Sequence, residues 1–230
     1  PAANIAAPTH IENRQSFGDI AVGSYHACAI NLFGTLYCWG DDWGGKLGRL
    51  GDRSAVLESD RGTRYSSIAL GRNHTCGITA NKKIRCFGFN DNGQLGFGLS
   101  DSASYTPTTI DIGTSYKAVS AQGNSTCGIT TTKKLKCWGK NNFGQIGIES
   151  AGAPVTRPTL LDESSDYEMV EVGGTHTCAI TTAGALKCWG KNIFGQVGLG
   201  TSSTKVTSPT IVDSANTYLS VSAGLNHTCA

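Results

Sequence analysis

The chain has 230 residues, 39% hydrophobic and 16% charged, and 19 Lys and Arg against 17 Asp and Glu leave a net charge of +2 at pH 7. That balance supports a buried core rather than disorder, and without a Lys/Arg cluster to neutralise a phosphate backbone, nucleic acid is not an expected partner. No apolar run of about 18 residues is present to span a membrane, while 30 Gly, one Met and many Ser, Thr and Asn point to short strands and tight turns.

Residues 1–19 begin with small residues and prolines. They lack the charged and apolar regions of a secretory leader, and read as a linker and the end of a preceding repeat. From Ile20 the chain repeats itself. Cys28, Cys76, Cys127, Cys178 and Cys229 follow one another at intervals of 48, 51, 51 and 51 residues. A period near fifty is the signature of a solenoid, propeller or array. The units run 20–67, 68–118, 119–169 and 170–220, and residues 221–230 begin a fifth.

Each unit opens on two apolar residues separated by one other, such as Ile20 and Val22 or Val170 and Val172, and then a glycine: Gly23, Gly71, Gly173 or Gly224. This is a short strand running into a turn. The third unit places its glycine one residue later, at Gly123. A second strand follows, in which Ile30, Ile78, Ile129 and Ile180 share a face with the cysteine two residues earlier. A three-residue turn, Leu32-Phe33-Gly34 with Gly34 left-handed, would set Cys28 opposite Cys38 and Ile30 opposite Leu36. Lys82 and Lys133 stand where that glycine would be, which leaves those two turns open. The third strand carries Leu36, Ile84, Leu135 or Leu186. Next come the second cysteine, an aromatic residue and a glycine, and a loop ending in Gly-Gln-x-Gly or a relative. Pro107, Pro158 and Pro209 then lead an extended segment suited to an edge. Four short strands per fifty residues make one blade of a β-propeller, so the expected fold is all-β with about four complete four-stranded blades.

Eight of the nine cysteines form pairs ten residues apart: Cys28–Cys38, Cys76–Cys86, Cys127–Cys137 and Cys178–Cys188. Directly opposed strand residues lie about 4.5–5.5 Å apart, within reach of a disulfide. Buried free thiols are the alternative, but they need no partner at constant spacing. Zinc would call for closely spaced knuckles, which are absent. Four disulfides imply an oxidising compartment: the medium, the cell surface or the periplasm. Cys229 lacks its mate within the 230 residues, and the chain is expected to continue through the rest of that blade.

The combination His-Thr-Cys-Ala-Ile, Leu-Lys-Cys-Trp-Gly-Lys-Asn and Gly-Gln-Val-Gly-Leu-Gly (residues 176–200) resembles the repeat of the regulator of chromosome condensation family, and the resemblance covers nearly the whole chain. It implies a seven-bladed β-propeller. Seven blades need roughly 360 residues, so this sequence is expected to be part of a longer protein. The paired cysteines depart from the family's nuclear founding member. Fold alone does not fix function.

His26, His74, His176 and His227 recur once per unit, with Ser125 in their place in the third. Equivalent positions around a ring cannot converge on one reacting atom, so these side chains are expected to serve structural hydrogen bonds. The carboxylates Asp41, Asp42, Glu58, Asp60, Asp101, Asp111, Asp162, Glu163, Asp166 and Glu168 show no catalytic pairing and read as solvated turns. Asn90-Asp91-Asn92-Gly93 follows the repeat and lacks the glutamate of a calcium loop. Asn73, Asn124 and Asn226 head Asn-x-Thr acceptor sequences at one shared repeat position, which a structural need explains without a glycan. No cofactor or metal is expected.

Departures from the repeat carry more information, because a ring scaffold displays function on its loops. Trp43 occupies a place held elsewhere by Asp91, Asn142 and Ile193, and the segment from Gly44 to Arg53 breaks the pattern. Trp43, Arg49, Arg53, Phe97 and Tyr105 are therefore the candidate binding residues. The expected function is a secreted or surface-displayed, non-catalytic module binding a protein or glycan on a propeller face. Its rivals are a secreted inhibitor resembling the propeller-type β-lactamase inhibitor, a nucleotide exchange factor for a small GTPase, and a polysaccharide-active enzyme.

Overall fold

A computed structural model describes residues 16–49, 55–100 and 103–230. Arg53 and most of the first segment lie outside these residues. Four antiparallel sheets follow one another along the chain, each a meander of four strands in sequence order. The first holds β1 (Phe17–Val22), β2 (His26–Asn31), β3 (Leu36–Gly40) and β4 (Leu57–Glu58). The second holds β5 (Tyr65–Leu70), β6 (His74–Thr79), β7 (Ile84–Gly88) and β8 (Ser104–Ile110). The third comprises β9 (Tyr116–Gln122), β10 (Ser125–Thr130), β11 (Leu135–Gly139) and β12 (Val155–Leu160). The fourth comprises β13 (Tyr167–Val172), β14 (His176–Thr181), β15 (Leu186–Lys191) and β16 (Lys205–Ile211). Two short strands, β17 (Ser222–Ala223) and β18 (Thr228–Cys229), open a fifth sheet. This is the expected all-β propeller architecture, and no helix occurs among the described residues.

The central hairpin keeps one register in every complete blade. Cys28 faces Cys38 and Ile30 faces Leu36, and the same pairs recur through Cys178 and Cys188. All four expected disulfides are formed. The turn left open at Lys82 and Lys133 is the same turn as at Gly34. Their φ angles of 62° and 66° lie in the left-handed region with the 83° of Gly34 and the 82° of Gly184. That conformation aims the residue's carbonyl at the next blade, where the amides of Tyr65, Tyr116, Tyr167 and Tyr218 donate to Gly34, Lys82, Lys133 and Gly184 in turn.

The core lies between neighbouring sheets. Trp138 of the third blade is buried with Ile78, Ile84 and Leu95 of the second, and Trp189 of the fourth with Ile129, Leu135 and Ile146 of the third. Phe87 fills the equivalent place against Leu36 and Leu47. Flat aromatic rings suit a gap between two sheets, since their large apolar faces are covered from both sides.

Three of the carboxylates read as solvated turns are instead fixed parts of the seams. The hydroxyls of Tyr65, Tyr116 and Tyr167 donate to Asp60, Asp111 and Asp162. Each carboxylate is also paired with a cation on a third strand: Arg85 at 2.9 Å, Lys136 at 2.7 Å and Lys187 at 2.5 Å. Tyr218 and Asp213 repeat the first half of this arrangement. The charged partners hold Asp111 and Asp162 below the usual carboxylate range despite the opposing effect of burial, and burial raises Tyr116 and Tyr167.

Candidate interaction face

The repeated histidines are latches between blades. Nε2 of His26, His74 and His176 lies 2.8, 2.8 and 2.9 Å from Oγ1 of Thr75, Thr126 and Thr228 in the following unit. Each threonine hydroxyl gives its proton back to the preceding blade, to the carbonyl of Lys46, Gln94 or Gln196. A carbonyl can only accept, so the hydroxyl must accept from the ring, and Nε2 carries the hydrogen. The indoles of Trp138 and Trp189 donate to the Gln94 and Gln145 carbonyls at 2.9 and 3.0 Å. Burial, first among the causes, lowers the three imidazoles to about 4, 3 and 4. They are neutral structural groups rather than bases waiting for a substrate.

The same latch explains the displaced glycine of the third unit. A Cβ on Gly71 would sit 2.0 Å from Cε1 of His74, and Gly23 and Gly173 meet their histidines at 2.7 and 2.5 Å. Ser125 is too short to reach that space and bonds the Lys140 carbonyl instead. Gln122 can therefore stand where the other units need glycine.

After β3, β7, β11 and β15 the loops turn on amide side chains. Asn90, Asn141 and Asn192 accept from the amides of Leu95, Ile146 and Val197, and donate to the carbonyls of Leu99, Ser150 and Thr201. The first blade departs here. Asp42 keeps the acceptor bond, from Leu47, but has no amide to donate. Lys46 replaces the glutamine and is fully buried, at 0% exposure. Its Nζ lies 2.6 Å from Asp41, 3.0 Å from Asn73 Oδ1 and 5.3 Å from the Tyr25 ring centroid, so the buried charge is both paired and hydrogen-bonded.

The position that holds Trp43 is exposed in every blade, and in the first it presents an indole at 68% exposure. Its ring meets Phe89 of the second blade edge-on, with centroids 4.8 Å apart and planes at 68°. Gly44 lies against the same phenylalanine, where a Cβ would come within 2.2 Å of the ring, and Gly45 lies against Tyr105. Two of the candidate residues, Trp43 and the half-exposed Tyr105, thus belong to one patch with Phe89, and Tyr25 is exposed beyond Lys46.

Other candidates are placed elsewhere. The Arg49 guanidinium donates to the carbonyls of Cys38 and Ala55, tying the loop to β3. Phe97 is half-buried against the Cys76 and Trp138 cluster. Arg53 is outside the described residues. Phe89, Phe143, Phe194 and Lys191 were missed. Phe143 and Phe194 do share a repeat position, immediately before the Gly-Gln of their loops, and that recurrence on an exposed loop was the available signal. Separately, the ends of the first strands surround a cavity of about 250 Å³, lined in part by Leu70, Gln122 and Glu171. Burial raises the carboxyl of Glu171.

Models of the regulator of chromosome condensation (RCC1) repeat match residues 19–42, 65–94, 116–145 and 170–196, and, in a second form, residues 137–180 and 184–230. The ultraviolet-B receptor UVR8 of Arabidopsis thaliana is 31% identical over 193 residues, which is 80% of this chain and 43% of that protein. Human protein RCC2 is 39% identical over 83 residues, 35% of this chain and 16% of its own length. Among solved structures, Prp20p of Saccharomyces cerevisiae superposes with a TM-score of 0.84 at 21% identity, over 96% of this chain and 56% of that one. The chain therefore spans less than half of these two curated relatives and just over half of the solved propeller.

Proposed function

The chain belongs to the regulator of chromosome condensation (RCC1) repeat family, and from that premise we propose that it is a protein-binding propeller module that meets its partner with the end face bearing Trp43. The carrying observation is the exposed indole braced by Phe89 beside Tyr105, on the loop where Asp42 and the buried Lys46 replace the asparagine and glutamine of the other three blades. A large aromatic held rigid in the open is the composition of an interface anchor. Prp20p, the similar structure, is described by its binding to Gsp1p and histones, which supports a protein rather than a glycan as the ligand class.

The module acts without catalysis of its own and works outside a reducing cytosol, at the cell surface, in the medium or in the periplasm. Four disulfides support that location, since such bonds persist where thiols are not kept reduced. The same bonds weigh against exchange of nucleotide on a cytosolic GTPase. To test the reading, the immobilised wild-type and Trp43→Ala chains are compared on extracellular protein fractions and on a glycan array. A retained protein whose affinity falls about 30-fold in the variant, the equivalent of about 2 kcal/mol, is the expected result. Equal retention by both chains, or binding confined to glycans, overturns it.

A further inference from the structure

The end face carries a second aromatic cluster, at the seam between the third and fourth blades. Lys191, the last residue of β15, holds its Nζ 5.2 Å from the ring centroid of Phe143 and 5.5 Å from that of Phe194. One ring comes from each blade. Phe194 is 67% exposed, and Ile193 beside it is exposed as well. Lys46, Lys117, Lys134, Lys136 and Lys187 all have a carboxylate within 3 Å, whereas Lys191, like Lys140 and Lys205, is in none of the ion pairs formed among the described residues. Its cross-strand neighbour is another cation, Lys205.

Side-chain charge changes around the face, from an aspartate already paired with Lys46 to lysines. The repeat position filled by Asp41 in the first blade is filled by Phe89, Lys140 and Lys191 in the next three. An ammonium held on two rings is ordered before any ligand arrives, because the π faces attract it. It still lacks the hydrogen-bonding anion that such a donor pairs with best. Beside it lies uncovered apolar surface.

We propose that this notch receives an acidic, aliphatic segment of a partner protein, with a carboxylate on Lys191 Nζ and a neighbouring Leu, Ile or Val side chain against Phe194 and Ile193. The inference rests on the protein-binding reading above and adds the chemistry and direction of the partner: its acidic stretch lies over the third and fourth blades, away from Asp41. Apolar surface beside a single ordered cation suits a peptide better than a phosphate backbone, which is held by many cations at once.

Random 12-residue peptides displayed against the oxidised chain provide the probe. Enriched peptides are then measured by fluorescence anisotropy on wild-type, Lys191→Glu, Phe194→Ser and Trp43→Ala chains. The expected peptides place Asp or Glu beside Leu, Ile or Val and bind at least tenfold more weakly to Lys191→Glu and to Phe194→Ser. Changing the peptide's acid to its amide should cost a similar factor on the wild type and almost nothing on Lys191→Glu, a coupling that general damage to the variant would not produce. Neutral or basic peptides, no enrichment, or equal binding to wild type and Lys191→Glu overturn the proposal. Peptides lost only on Trp43→Ala remove this notch and leave the wider reading standing. Peptides indifferent to all three substitutions remove both.

Discussion

Lys82 and Lys133 adopt a backbone conformation that disfavours any side chain, at φ 62° and 66°, because their carbonyls must reach the tyrosine amide of the next blade. A left-handed residue with a Cβ costs roughly 1–2 kcal/mol, and glycine removes that cost while adding some backbone entropy to the unfolded chain. Lys82→Gly and Lys133→Gly should each stabilise by about 0.5–1 kcal/mol, read as a higher urea midpoint; lower midpoints would mean that the lysine side chains contribute more than the strain removes. A sharper test addresses the pairing of Gly71 with His74. Gly71→Gln alone forces a side chain into the imidazole and should cost at least about 2 kcal/mol. Adding His74→Ser, which recreates the Gln122 and Ser125 pair of the third blade, should recover most of that loss. Additive damage in the double variant would show that the two positions are independent.

At the scale of the hairpin, each disulfide clamps a register that Ile30 and Leu36, or their equivalents, also hold. Replacing Cys127 and Cys137 by alanine should cost about 2–3 kcal/mol, and proteolysis should begin in that blade. An unchanged midpoint would mean that the hairpin persists in the unfolded chain. These hairpins were legible in the sequence because strand alternation and a constant ten-residue spacing both act over short distances. The Asp111, Tyr116 and Lys136 network was not, although its members recur with the repeat. Lys136 stands 25 residues after Asp111, and nothing local to either residue says that the two meet. Trp43 was legible as a departure from pattern. Phe143 and Phe194 share their position with Gly44 and Asn92, and Lys191 shares its with Asp41, Phe89 and Lys140; nothing local to any of the three says that they meet at a seam.

Across the whole molecule, three buried histidines set an acid limit. Each imidazole titrates near 6.5 when unfolded and near 3 to 4 in the propeller, so between those values the unfolded chain binds protons that the folded chain refuses. Their stability is fully present above pH 6.5 and is lost as pH falls towards 4, by roughly 3 kcal/mol for each at about 1.4 kcal/mol per pKa unit. Asp111 and Asp162, held below 3.8, add their loss only under more acidic conditions. Urea unfolding at pH 7, 5.5 and 4.5 should show a falling midpoint, with a shallower fall when His74→Ser is combined with Gly71→Gln. A flat midpoint over that interval would rule out the neutral latch.

The latch also has a direction. Every seam joins a blade that offers a loop carbonyl and, except in the third blade where Ser125 stands, a histidine to a successor that offers threonine and, in two cases, indole, so the two sides of a blade are unlike surfaces. Contacts of this head-to-tail kind cannot satisfy themselves about a twofold axis; they propagate, and they end only when the last unit meets the first. By the same logic a blade is interchangeable goods along the chain: a copied unit brings both the plug and the socket its neighbours require, which makes duplication a cheap route to a longer propeller and places the burden of individuality on the loops.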